Sequence, residues 1–200
     1  MNSMEYLFSL AGQLLLAGVL ITLLLGKFVQ APEKLRAGVA VLLVVLMLIP
    51  VNGLSVAQWL RSVTGDLSVL MLVVLSNILV QRLFAFKLLD DSSRLLLLLG
   101  IILAGTLLYP FALGLGAVDS YHFGYAPVAM SVMLALLSIV CWYAGKRDLA
   151  VVLLLPLLAF NLQLLETSNL WDYVLDPVLF VYALIQTVSY WWKNRLIKGA

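Results

Sequence analysis

One cysteine and one histidine are all that this chain of 200 residues contains of those two residue types. Cys141 lies inside an apolar run, so an intrachain disulfide and any multi-cysteine metal or iron–sulfur site are excluded, and packing is its expected role. His122 alone cannot provide bis-histidine haem ligation. Charge is scarce as well: Asp, Glu, Lys and Arg make up 11% of the chain, where soluble proteins carry about a quarter. The basic residues are scattered over short segments and the net charge is only +2, which leaves no basic surface dense enough for nucleic acid. Also missing are a Walker-type glycine loop, a His-Glu-x-x-His helix, a Gly-x-Ser-x-Gly elbow and a Cys-x-x-Cys pair, and with them the chemistries that those patterns serve. No cofactor and no metal is expected.

Apolar residues fill the space that charge leaves. They make up 64% of the chain, and the mean hydropathy is +1.10. A hydrocarbon core of ~30 Å is crossed by about 20 apolar residues. Runs bounded by charges or turn residues cover 6–26, 37–53, 67–86, 95–115, 126–145, 149–165 and 177–192, the last two short for a span. The expected fold is an all-α polytopic membrane protein of seven transmembrane helices, forming one helical-bundle domain over 1–200. Glu5 stands where a secretory signal carries its basic residues, so the first run is expected to persist as a helix.

Lys and Arg near span ends stay on the cytoplasmic side. Lys27, Lys34 and Arg36 fall between the first two runs, Arg82, Lys87 and Arg94 between the third and fourth, Lys146 and Arg147 between the fifth and sixth, and Lys193, Arg195 and Lys198 after the seventh. Eleven of twelve basic residues therefore share one side, which nets +7, while the other nets −5. This places the N-terminus out and the C-terminus in, and it suits a bacterial cytoplasmic membrane.

Local signals mark the ends of the runs. Ser55-Val-Ala-Gln58 reads as a capping box ahead of Trp59, Leu60 and Val63, predicting a short interfacial helix near 55–64. Asp66 is expected to cap the third span, Ser92 or Ser93 the fourth, and Asp176 the seventh, with Pro177 at its first helical position. Pro127 is expected to open the fifth span. Pro156 is expected to bend the sixth span, and Pro110 to disturb the outer end of the fourth. Gly100 and Ala104 would let a neighbouring helix approach closely.

Two sets of polar residues could carry function. The stretch from Asn161 to Pro177 gathers Glu166, Asp172 and Asp176 around Trp171 and Tyr173 without a single cation. With Arg61 and His122 these acids form a candidate outer-face site. His122 could act as a base if Asp119 or one of the acids oriented it, several carboxylates could hold a hard cation, and Arg61 could pair with Asp66 or a loop acid, or grip a lipid phosphate. The structural reading beside this is an acidic loop, aromatic interface anchors and a helix cap. The second set, Asn77, Asn161, Gln163 and Gln186, could line a polar path or make interhelical hydrogen bonds. No acid or base falls at a span midpoint, which argues against a proton-coupled pump.

The function expected first is that of a non-catalytic integral membrane subunit or scaffold of a cell-envelope complex, bound to membrane lipid and to a larger integral membrane protein. A small transporter or flippase on a three-plus-one-plus-three helix plan is the first alternative. A membrane enzyme acting on a lipid or lipid-linked substrate at the outer face is the second.

Overall fold

In a computed structural model the protein is mostly helical. Residues 3–28, 32–116 and 119–198 are described, without the side chains of residues 28, 33, 34, 36 and 193–198. The side chains of Lys34, Arg36, Lys193, Arg195 and Lys198, five of the cations that set the charge pattern, thus lie outside the described residues.

Nine α-helices occur among the described residues: α1 Ser3–Phe28, α2 Glu33–Leu46, α3 Val56–Thr64, α4 Val69–Phe84, α5 Asp91–Ala112, α6 Pro127–Tyr143, α7 Arg147–Asn161, α8 Leu170–Val174 and α9 Pro177–Lys198. Each apolar run of the sequence contains one long helix. By length and composition α1 and α5 are apolar enough to cross a membrane. At 1.5 Å per residue the 22 residues of α5 reach about 33 Å, whereas the 15 of α7 reach about 22 Å.

The run 37–53 is helical only as far as Leu46. Beyond it Pro50–Val51 and Leu54–Ser55 form a two-residue antiparallel hairpin, with Val51 opposite Leu54. Asn52 and Gly53 turn it with φ of 55° and 88°. Positive φ at both central residues is what a tight primed turn requires, and Asn-Gly is the pair that adopts it most readily. The capping box then starts α3: the Gln58 amide donates to Ser55 Oγ at 3.3 Å, and the Ser55 amide donates to Gln58 Oε1 at 2.6 Å.

The chain divides into two compact units, Met1–Leu67 with Leu72–Leu88 and Gln163–Glu166, and Ser68–Met71 with Leu89–Leu162 and Thr167–Ala200. In the first, α1 packs against α2 and α3. Tyr6, Ser9 and Gln13 make one polar stripe along α1, because positions three and four apart share a helix face. Gln58 Nε2 donates to Tyr6 Oη at 3.1 Å, Ser9 Oγ donates to Asp66, and Gln13, fully buried, donates to the Gly65 carbonyl at 2.9 Å. An apolar helix thus holds a polar connector by three side chains.

In the second unit α6 and α7 form a helical hairpin. Gly145, at φ 80°, ends α6: the Lys146 amide reaches back to the Cys141 carbonyl at 2.8 Å and the Gly145 amide to Trp142 at 3.1 Å, the bond pair of a Schellman stop. Ser138 Oγ donates to the Ala150 carbonyl across the hairpin at 2.7 Å. α5 packs on α9, where Gly105 lies against the Phe180 ring and Tyr109 meets that ring edge-on at 5.2 Å. The close approach expected at Gly100 and Ala104 occurs instead at Gly105. Gly100 faces open space, and both small residues line an apolar cleft of about 290 Å³ among α5, α6 and α7.

Helix starts differ in detail from the sequence signals. Asp90, rather than a serine, caps α5 by accepting from the Ser93 amide, and hydrogen bonds from that amide and side chain hold its carboxyl well below the usual carboxylate range. Ser93 Oγ donates to Asp148 at 2.7 Å, and the Asp90 amide donates to the other Asp148 oxygen at 2.8 Å. Lys146 also reaches Asp90, at 3.2 Å. Partial burial works to raise the Asp148 pKa, but these hydrogen bonds outweigh it and the net shift is downward. Pro127 stands at the start of α6 as expected.

Candidate functional site

The five candidate outer-face residues fall into both units. Arg61 and Glu166 belong to the first, and His122, Asp172 and Asp176 to the second.

Arg61 sits in the last turn of α3, five residues before Asp66. The connector at Gly65, φ 71°, turns Asp66 back toward it. Arg61 Nε donates to Asp66 Oδ1 at 2.7 Å and Nη2 to Oδ2 at 3.0 Å, while Glu166 Oε2 lies 3.6 Å from Nη2. Of the partners proposed from sequence, Asp66 takes the fork and Glu166 stands behind it. The hydrogen bond to Asp66 raises the Arg61 pKa, against a smaller opposing effect of burial. For Asp66 burial pushes upward most, but hydrogen bonds from Arg61 and Ser9 together bring the carboxyl below its ordinary value. The ends of Tyr6, Gln58, Arg61 and Asp66 border an open cleft of about 400 Å³. Asp66 is engaged by Arg61 and Ser9, and the cap of α4 comes from Ser68, whose Oγ accepts from the Met71 amide at 3.2 Å.

In the second unit the segment 119–125 is locked to 167–176. Asn169 is fully buried; its Nδ2 donates to the Tyr121 carbonyl at 2.9 Å and its Oδ1 accepts from the Trp171 amide at 2.9 Å, starting α8. Gly124 lies so close to Asn169 that a Cβ there would overlap its side chain. Trp171 Nε1 donates to the Ser120 carbonyl at 3.1 Å. Asp172 accepts from Tyr121 Oη on both oxygens, at 3.0 and 2.9 Å. Burial, and next this bond to a carboxylate, raise the Tyr121 phenol pKa above its ordinary value.

Asp176 is buried, at 4% exposure. Its Oδ1 accepts from the Leu179 amide at 2.8 Å, the expected cap of α9, and its Oδ2 accepts from the Ser68 amide at 2.9 Å and Ser68 Oγ at 2.6 Å. One carboxylate therefore holds the starts of α4 and α9 together.

His122 is exposed on the 3-10 turn Tyr121–Tyr125, with its ring 6.3 Å from that of Tyr125. Asp119 accepts from the backbone amides of Tyr121 and His122 at 3.0 and 3.2 Å. Among the described residues no carboxylate accepts from the imidazole, so the orienting partner that a histidine base needs is not among them.

The second candidate set serves helix ends and neighbours. Buried Asn77 accepts from the Leu88 amide at 2.9 Å. Asn161 is exposed at the end of α7, where its Nδ2 donates to the Leu157 carbonyl at 2.7 Å, and Gln163 is the left-handed residue after that helix, at φ 51°. Gln186 on α9 accepts from Arg94 Nη2 at 3.0 Å, as does Tyr182 Oη.

Sequence reasoning passed over Gln13, Ser68, Asn169, Asp148 and Arg94. The Tyr6, Ser9, Gln13 spacing on an otherwise apolar helix was a readable signal for the first. Ser68 and Asn169 become informative only with their distant partners in place. The groups of His, Cys, Asp and Glu among the described residues include none that could hold a metal ion. The chain matches no protein-family model, no curated protein and no solved structure. What the comparisons leave standing is the class: a mostly helical protein with two helices apolar enough to cross a membrane.

Proposed function

We propose that this chain is a seven-span protein of the bacterial cytoplasmic membrane, N-terminus out, acting as a non-catalytic subunit or scaffold of an envelope complex. The observation that carries this reading is the employment of its outer-loop acids. Asp66 is engaged by Arg61 and Ser9, Asp172 by Tyr121, and Asp176 by Ser68 and Leu179. Groups so engaged maintain loops and helix starts, whereas general acid–base catalysis needs a titrating group aimed at substrate. The membrane part is supported by the charge asymmetry and by the side chains the helices turn outward. Leu103, Leu107, Leu136, Val140 and Leu158 are all more than half exposed, on stretches of α5, α6 and α7 that carry no charged residue. A transporter is less favoured, because Asn77 and Asn161 make hydrogen bonds to backbone groups of their own surroundings.

Single cysteines test the topology. In a Cys141→Ser background, cysteines at Ser120 and Ser168 should react with an impermeant thiol reagent in intact cells, and one at Ser92 should not. Labelling at 92 with silence at the other two would refute the orientation. Extraction in mild detergent tests the subunit role: the chain should migrate in a complex well above its own 22.0 kDa plus micelle. Repeated purification as a stable lone monomer that moves or modifies a substrate would end that part of the proposal.

A further inference from the structure

α6 packs on α7, and α5 packs on α9. Between α5 and α6 lies the cleft of about 290 Å³, whose floor is made by Leu97, Ile101, Leu134 and Leu149, all buried. Leu96 on α5 and Met133 and Leu137 on α6 are exposed and form its rims. Among the described residues no charged, hydroxyl or amide side chain lines it. Such a cavity gives water no partners and takes an apolar occupant instead. One wall is made by a missing side chain. Gly100 lies in the middle of α5, where glycine weakens a helix, and a Cβ there would meet nothing within 4 Å. The Phe180 ring accounts for Gly105. At Gly100 no neighbour uses the space, and the effect of the glycine is to widen the cleft.

The dimensions select the occupant. At 1.5 Å per residue the steps from Leu96 to Ala104 cover about 12 Å, so 290 Å³ corresponds to a mean cross-section of about 24 Å². A helix with its side chains is about 10–12 Å across and needs roughly 80 Å² or more, which keeps a partner's helix out of the cleft. A single unbranched hydrocarbon chain has the right width, and the methyl branches of an isoprenoid make a thicker one. The length agrees as well, since one leaflet supplies about half of the ~30 Å hydrocarbon thickness. The end toward the starts of α6 and α9 is shut by buried Met130, Leu70 and Leu175, with Trp171 held beside them by its bond to the Ser120 carbonyl at 3.1 Å. Entry is therefore sideways, past Leu96 and Leu137.

We infer that this cleft binds one acyl chain of a membrane glycerophospholipid, lying along Gly100 and Ala104 between α5 and α6. The inference rests on the membrane reading above, which puts the exposed leucines at its mouth in the hydrocarbon. Cys141, in the last turn of α6, also lines the cleft. A bound chain covers its thiol, and as the one cysteine of the protein it reports occupancy without any engineered label.

The test uses the delipidated full chain in mild detergent, with palmitoyl-oleoyl phosphatidylglycerol as the probe. Native mass spectrometry should show one lipid per chain that survives activation strong enough to strip the others. Cys141 should react with N-ethylmaleimide at least fivefold more slowly once that lipid is bound. Gly100→Leu fills the cleft from α5, at a position where a Cβ meets no neighbour, and Leu137→Trp narrows it from the opposite rim. Each should lower lipid retention at least fivefold and remove the effect of lipid on Cys141, while Gly100→Leu unfolds at no lower temperature than the delipidated wild type. Undiminished retention in both variants, or a Cys141 rate indifferent to lipid in the wild type, would overturn the proposal. Farnesol that displaces the phospholipid at equal concentration would overturn it in favour of an isoprenoid, and a dimer that Gly100→Leu dissociates would do so in favour of a second copy. Orientation in the membrane does not enter this assay, so its failure beside correct cysteine labelling sinks the cleft alone. Reversed labelling beside intact lipid retention sinks the orientation alone.

Discussion

Asp176 should be among the most consequential single acids for stability. Asp176→Ala removes the cap of α9, which costs about 0.5–2 kcal/mol. It also strands the Ser68 amide and hydroxyl, both donating to Oδ2 in a site where Ser68 is fully buried, and a buried donor left without a partner costs about 1–3 kcal/mol. Allowing for a water that replaces part of this, the expected loss is about 3 kcal/mol, or a fall in Tm of roughly 6–12 °C for a chain of this size. Asn at 176 could still accept from Leu179, but its amide would point a donor at a donor, so Asp176→Asn should lie closer to alanine than to wild type. Ser at 176 restores the cap but cannot reach Ser68, and should recover about 1 kcal/mol. Thermal unfolding in detergent, followed through tryptophan fluorescence, supplies the measurement. The double variant with Ser68→Ala should be less damaging than the two single losses added, with a coupling of about 1–2 kcal/mol. An Asp176→Ala protein within 0.5 kcal/mol of wild type, or strict additivity with Ser68→Ala, would show that the buried carboxylate does not tie Ser68 to the start of α9.

Two further outcomes follow from the same kind of accounting. The Asp66 carboxyl titrates below its unfolded value near 4, so its pairing with Arg61 stabilises the fold fully above that value and is lost as pH falls through the lower folded one; Asp66→Asn should cost about 1–2 kcal/mol at pH 7, discounted because both side chains are about a quarter exposed, and should flatten the acid limb of a stability–pH curve. Gly105→Ala should destabilise by about 1–3 kcal/mol through overpacking against Phe180, with Phe180→Leu restoring part of the loss, while Gly100→Ala, which faces open space, should be neutral or slightly stabilising in the same unfolding assay.

Much of this architecture could be read from the residues. Period and hydropathy located every long helix, the capping box at Ser55 and Gln58 formed as written, and Asp176-Pro177 opened α9. The misreadings share one cause, which is that a local signal has several possible partners and the sequence does not say which wins. Asp66 looks like a cap until Arg61 and Ser9 claim it. Gly100 and Ala104 look like the place for a close approach, and only the position of Phe180 moves it to Gly105. Asn52-Gly53, by contrast, was a hairpin signal in plain view, hidden by the apolar residues around it. The apolar run continues past Pro156 to 165, whereas α7 ends at Asn161 and Gln163 follows it in a left-handed turn.

Helix polarity explains why acids stand where they do on both faces. The four acids on the side that the charge pattern assigns to the cytoplasm are Glu33, Asp90, Asp91 and Asp148. Each is at the cap or in the first turn of α2, α5 or α7, where the unpaired amides and the positive end of the helix dipole favour negative charge. On the opposite side Glu5, Asp172 and Asp176 hold the same position at α1, α8 and α9. An acidic loop in this chain is therefore first of all a set of helix starts, and acidity alone gives little ground for a catalytic centre. The rule applies with opposite sign to cations. Arg94 stands in the first turn of α5, against the dipole, and the neighbours that hold it are neutral. The helix offers no reason for a positive charge at that position; the reason lies in the charge pattern, where Arg94 joins Arg82 and Lys87 between the third and fourth apolar runs.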